Sequence, residues 1–180
     1  MEDTWNLVLL IVRVWIGIVI FIHGANHLLR TVRNQGVSED LEKVGIRPGK
    51  VHAWAFSVVE LVLAELLIVG IVTPVAFGVV AALMLVTFLA EQRKNGFFFT
   101  GARGWEYVAT LGVVSVAMGA LGPGEWSLDW IADLTFPFEP GTALIITVAI
   151  AVGLAGAFLA MFWRPAKLSA APAKAKAKAA

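Results

Sequence analysis

Five apolar runs, each near the length of a membrane crossing, take up most of this chain of 180 residues and leave too little polar sequence to cover them. A helix that crosses the hydrocarbon layer of a bilayer needs about 20 mainly apolar residues. The runs are 5–29, 51–72, 74–90, 105–121 and 141–163. Arg13 and a histidine-rich inner end interrupt the first. The second and third form one apolar stretch that Thr73-Pro74 divides, because proline suits the first turn of a new helix and cannot extend an old one. They should therefore pair as a tight hairpin. The fifth run carries no charge and stops at Arg164-Pro165. With 59% of residues apolar and only 15% charged, the chain does not fit a soluble domain. The expected fold is an all-α, polytopic membrane protein: one transmembrane domain over 1–163 and a disordered Ala/Lys-rich tail over 164–180. Met1-Glu2-Asp3 is acidic where a signal peptide is basic, and no small-residue cleavage site follows, so the first run reads as a span.

Lysine and arginine set the expected orientation. Arg30, Arg33, Lys43, Arg47 and Lys50 lie between runs one and two, Arg93, Lys94 and Arg103 between three and four, and Arg164, Lys167, Lys174, Lys176 and Lys178 in the tail. The alternate connections hold none, and the fourteenth cation is Arg13, within the membrane. The positive-inside rule then puts the N-terminus outside and the C-terminus in the cytoplasm. Tryptophan agrees, with Trp5, Trp126 and Trp130 at the outer interface and Trp54, Trp105 and Trp163 at the inner one. The tail lysines suit anionic lipid and are too few for a specific nucleic-acid role.

Three connections carry structure of their own. In SEDLEKVG, Ser38 can cap a short helix that Gly45 ends. Phe97-Phe98-Phe99 sits between basic residues and reads as dipping into the interface. In the outer loop Trp126, Trp130 and Leu134 repeat every fourth residue, the pattern of a short amphipathic helix on the outer surface. Its bland role is a lid; the alternative is a ligand or partner site.

Ionisable residues inside a bilayer are costly, about 2.5 to 3.5 kcal/mol each on insertion scales. Arg13 lies about 12 Å below the outer boundary, level with Glu65, and Glu60 sits near the midplane, at about 1.5 Å per residue. One arginine between two carboxylates would offset much of the cost. Glu60 and Glu65 are about 140° apart around their helix, so they cannot both face one neighbour. Arg13, Gly17, Gly24 and His27 share a narrow face whose small residues allow close helix approach. The set can be a polar site for a headgroup or protons, or a structural ion pair. His23 or His27 with His52 could ligate a haem, a reading disfavoured because interfacial histidines are commonly plain polar anchors. Glu106 should meet His23 or His52 at the inner end. No spacing specifies a metal site, and the chain, with no cysteine, has no thiolate nucleophile, dithiol centre or Cys-ligated iron-sulfur cluster.

The strings RVWIGIVIFIHGANHL (13–28), GIRPGKVHAWAFSVVELVLAELLIVGIVTPVA (45–76), GARGWEY (101–107) and GPGEWSLD (122–129) resemble the DoxX family of small bacterial membrane proteins, over roughly residues 7 to 130. The matched positions are Arg13, Gly17, His23, Gly24, Glu60, Gly70, Glu106, Tyr107, Gly122, Pro123, Gly124, Ser127, Leu128 and Asp129. Two positions depart: His27, where the family often has lysine, and Glu65, where it is usually small and apolar. The resemblance implies a four-helix transmembrane bundle in the bacterial inner membrane, with run five as an added C-terminal helix docked through Gly153, Gly156, Ala157 and Ala160. It also implies redox-linked work. The expected function is an integral membrane subunit of a quinone-linked oxidoreductase complex, not catalytic alone. Arg13, His23, Glu60, Glu65 and Glu106 would form its polar site, and Gly122, Pro123, Gly124, Ser127 and Asp129 an outer-loop motif. Quinone is the one cofactor implied, and oxidoreductases the partners. The alternatives are a small-solute or proton transporter using Glu60 and Glu65, or a scaffold recruiting soluble partners to the basic inner face.

Overall fold

The computed structural model describes residues 2–134 and 139–165. The tail expected to be disordered lies, from residue 166 onward, outside the described residues, as do 135–138 of the outer loop. The described chain is helical throughout, as a lipid-embedded chain must be to satisfy its own backbone. Four helices are long and apolar enough to cross a membrane: α1 (Glu2–Val32), α3 (Gly49–Val69), α4 (Thr73–Ala90) and α8 (Pro140–Phe162). Between α1 and α3 lies the short α2 (Val37–Lys43), and a 3₁₀ turn (Gln92–Lys94) and α5 (Phe99–Ala102) follow α4. The apolar α6 (Glu106–Leu121) has 16 residues, a rise of about 24 Å. One turn, α7 (Leu128–Ile131), lies in the outer loop.

Helix α1 packs along α3, and α4 packs against α3, α6 and α8. Glycines set the closest approaches. A Cβ on Gly17 would lie 2.7 Å from Ile68, and one on Gly24 would lie 2.9 Å from Glu60, so the small-residue face of α1 does meet α3. The interior toward the outer side is filled by Ile16, Ile20, Leu63, Leu67, Phe77, Val80, Leu111 and Met118. Pro74 stands in the first turn of α4, where its missing N–H costs nothing.

Three local expectations need correction. Helix α8 docks through Ala143, Thr147, Ala151 and Ala155, while Gly153, Gly156, Ala157 and Ala160 face away from the bundle. Close contact comes from glycines on its neighbours: Gly119 of α6 lies against Thr147 and Gly78 of α4 against Ile150. Ser38 does not cap α2; Gly36, in the left-handed region at φ 78°, precedes the helix and Ser38 lies in its first turn. The outer helix is a single turn, because Ser127 caps it by accepting the Trp130 N–H at 3.2 Å and Asp129 is drawn into the bundle.

The inner end of α8 is tied to the α2–α3 connection. Arg47 N–H donates to the Phe162 carbonyl at 3.0 Å, Arg164 N–H to Gly45 at 2.6 Å, and the Trp163 indole N–H to Val44 at 2.9 Å. His52, buried on α3, packs among Phe56, Phe158 and Phe162.

Candidate functional site

The intramembrane arginine finds its acceptors in backbone, through both Nη atoms, while its Nε has none. Helix α3 ends at Gly70, whose φ of 74° turns the chain toward α4 and leaves the last α3 carbonyls without helical donors. Arg13 fills that gap: Nη1 donates to the carbonyls of Leu67 (3.0 Å) and Ile68 (3.3 Å), and Nη2 to that of Trp126 in the outer loop (2.6 Å). A cation there also suits the negative end of the α3 dipole. Arg13 thus pairs with neither Glu60 nor Glu65, contrary to the sequence expectation, and Glu65 lies on the outer surface of the bundle. A buried guanidinium takes the nearest unpaired acceptors, and these are carbonyls at a helix end.

The outer-loop motif completes this lock. Asp129, buried, accepts the Val72 N–H at 2.7 Å and the Thr73 N–H at 2.9 Å, so it caps α4. Its own N–H donates to the Gly70 carbonyl at 2.8 Å. Asn6 on α1 holds Glu125 through two hydrogen bonds, at 2.9 and 3.0 Å. Ser127 Oγ donates to the Gly124 carbonyl at 2.6 Å, and Gly122 and Gly124 take positive φ, which only glycine adopts freely. Pro123 lies between them. The motif is therefore a clasp over the α3–α4 turn, and its charged groups are consumed in making it.

A second group of polar side chains gathers at the inner end. A cavity of about 980 Å³ opens there between α1, α2, α3, α4 and α6. His27 Nδ1 on α1 and Glu60 Oε2 on α3 lie 2.9 Å apart, within ion-pair distance but without the alignment of a hydrogen bond. One turn closer to the outer side on α1, His23 stacks on Tyr107 of α6, with ring centroids 5.7 Å apart and Nε2 3.2 Å from the phenol oxygen. The two imidazoles stand 6.5 Å apart edge to face. Phe56, Leu83, Met84 and Val108 supply apolar wall, and Arg30 and Arg103 reach the rim.

Of the expected site residues, His23 and Glu60 come together here and Arg13, Glu65 and Glu106 do not. Glu106 instead accepts the Phe99 N–H at 3.1 Å, closing the inner loop. The neighbouring Tyr107 meets His23 in its place, since one residue along a helix turns the side chain by about 100°. His52 lies in its phenylalanine cage, away from the cavity lining. Among the described residues no three His, Asp or Glu converge as a metal site would require. The sequence signal for His27 as Glu60's partner was present: both lie on the facing surfaces that Gly24 brings together.

The DoxX family model matches residues 8–93, from α1 through the end of α4 and the turn after it. That segment carries Arg13, His23, His27, Glu60 and Gly70, while α6 and the outer clasp lie beyond it. No curated protein and no solved structure matches the chain.

Proposed function

From a membrane protein of the DoxX family, matched over residues 8–93, we propose a membrane subunit of a quinone-linked redox complex that takes a quinone headgroup in its inner cavity. The observation that carries this reading is the composition of that cavity: His23, His27, Glu60 and Tyr107 give a compact polar end within walls of Phe56, Leu83, Met84 and Val108. Pockets for small ligands have this form, mainly apolar with a few convergent polar groups. An amphipathic ring such as a quinone, with polar oxygens and an apolar tail, suits both parts. The redox association itself comes from the family, and the chain supplies binding and orientation; electron transfer belongs to partner subunits recruited at the basic inner face. Here α6 also crosses the bilayer, the N-terminus is outside and the C-terminus cytoplasmic, in agreement with the distribution of Lys and Arg.

A proton- or solute-transporting module is less well supported. Glu65, its second carboxylate, is on the lipid-facing surface, and apolar side chains fill the bundle between the cavity and the Arg13 clasp.

The test is extraction of the chain from its native membrane in mild detergent. Co-purification of quinone together with a flavin- or metal-bearing oxidoreductase is expected. Thr87→Trp, which fills the cavity, should remove the quinone, and Glu65→Gln should not. A protein that emerges free of quinone and of redox partners, or one whose quinone content ignores Thr87→Trp and a second filling variant, Leu83→Trp, overturns the reading.

A further inference from the structure

Among the described residues, Glu65 is the one acidic side chain that faces lipid deep within a membrane-crossing helix. The ion pairs among those residues, His27–Glu60, Arg30–Asp40 and Lys43–Asp40, leave it out. Its depth is fixed by the packing of α1. Gly17 lies against Ala64 and Ile68, so Glu65 stands level with Gly17, about 18 Å of helix rise from Trp5 and about 16 Å from Trp54 toward the other end of the bundle. That is the middle of a hydrocarbon layer about 30 Å thick. The side chain leans toward the N-terminus of α3, the Trp54 end, and is too short to reach either headgroup region. An ionisable group in hydrocarbon is costly unless another polar group meets it.

The surface around Glu65 has a definite repeat. Val51, Ala55, Val58, Val62, Glu65 and Val69 are all exposed and follow one another at alternating spacings of four and three residues. This is the heptad repeat, which turns one stripe of a helix toward a partner along its whole length, and left-handed crossings of this kind are the common geometry of membrane helices. The stripe runs down the middle of the open half of α3, whose other half is covered by α1, α2 and α4. We propose that α3 is the interface of a parallel homodimer, in which the Glu65 carboxyls of two copies hydrogen-bond across the two-fold axis within a seam of valines. The occupant is a second copy because the seam is its own complement. Copies inserted in one orientation are related by an axis along the membrane normal, which places each seam residue opposite itself. A carboxyl group holding its proton both donates and accepts, so two of them satisfy each other. A cation from the second copy is not available: Arg13, the one lysine or arginine within the spans, is bound to backbone inside the bundle. One polar residue on an otherwise apolar seam also fixes the register of the pair.

The chain has no cysteine, so single introduced thiols report the contact. In native membranes treated with an oxidant, Val62→Cys and Val69→Cys should form disulfide-linked dimers, while Ile145→Cys, 70% exposed on α8, should not. Dimer strength is read by energy transfer between labelled copies as the protein is diluted in phosphatidylcholine vesicles. Glu65→Leu should weaken the dimer by about tenfold, the worth of one interhelical hydrogen bond in lipid. Glu65→Gln, whose carboxamide also donates and accepts, should keep it. Both substitutions lie on the lipid face and leave the packed bundle alone. Cross-linking no greater on the seam than at Ile145→Cys overturns the interface. A dimer as strong in Glu65→Leu as in the parent overturns the carboxyl pairing. A chain that is monomeric at every dilution overturns both, and leaves Glu65 to a different partner helix that carries a lysine or arginine.

Discussion

Arg13 and Asp129 close opposite sides of one turn: the guanidinium takes the carbonyls that end α3, and the carboxylate takes the Val72 and Thr73 N–H groups that begin α4. Residues 116 apart in sequence thus serve as the caps of a single helical hairpin, the arginine through a third bond to Trp126 and the aspartate through its own N–H to Gly70. A chain in hydrocarbon has no water to satisfy helix ends, so caps of this kind do the work that solvent does elsewhere.

Removing either cap should cost stability without touching the inner cavity. Arg13→Ala strands three carbonyls and is expected to lower the unfolding free energy by about 3 kcal/mol. Arg13→Lys should recover only part, because a single ammonium cannot match the forked geometry of a guanidinium. Asp129→Ala should cost about 1–2 kcal/mol, as helix N-caps do. Denaturant titration of the detergent-solubilised protein measures all three, and an Arg13→Lys variant as stable as the parent would show that one bond suffices.

Gly70 should be intolerant of any side chain, for two separable reasons. Its φ is 74°, and a Cβ would fall on the Arg13 guanidinium itself. Gly70→Ala is therefore expected to be destabilising alone and less so in an Arg13→Ala background, where the guanidinium clash is gone while the backbone strain and the close approach to Ser127 remain. A double-mutant cycle reads the difference, and strict additivity of the two substitutions would refute the clash.

The internal pairing of α2, and its contact with Arg30 of α1, should depend on pH and salt. Lys43, hydrogen-bonded to Asp40 at 2.8 Å, holds that carboxyl below the ordinary carboxylate range, and Arg30 adds to the effect. A depressed folded-state value means that Asp40's contribution is complete above its unfolded pKa and disappears as pH falls through the lowered one. Lys43, raised by the same bond, contributes fully below the ordinary lysine range and loses its part as pH rises through the raised value. These groups are exposed, so the effect is small and local. Amide exchange of α2 should quicken at both extremes and in high salt, and Asp40→Asn should flatten the profile.

Because the chain contains no cysteine, its orientation can be read with single introduced thiols. Ile131, 75% exposed on α7, and Phe98, 71% exposed beyond α4, lie at opposite ends of the bundle. A membrane-impermeant maleimide applied to intact cells should label Ile131→Cys and reach Phe98→Cys only after permeabilisation. The reverse pattern would invert the orientation drawn from the basic residues.

The long helices were legible because hydrocarbon forces a simple rule: about 20 apolar residues, with breaks where proline or charge intervenes. Pro74 falls in the first turn of α4, while α3 stops at Val69, short of the apolar run's end. Side-chain partners were harder. Hydropathy shows that Arg13 is buried and at what level, but it does not show that α3 stops at a left-handed glycine and frees carbonyls there. Gly70 was the available sign, since a glycine closing an apolar run marks a helix end. Glu106 and Tyr107 illustrate a second limit: adjacent residues point about 100° apart, so a small error in rotation exchanges a carboxylate for a phenol. On α8 small residues occur on more than one face, and which face is buried depends on Gly78 and Gly119 of its neighbours.

The tie between Trp163 and Val44 bears on how the protein is made. Ribosomal synthesis delivers α1 to α4 long before α8, so the inner connection that walls the cavity must wait, without its final strap, until the last helix enters the bilayer. The family-matched segment can therefore complete its clasp and its cavity only in company with the chain that follows it, and a ribosome stalled before α8 would leave a bundle already inserted and still open on its inner side.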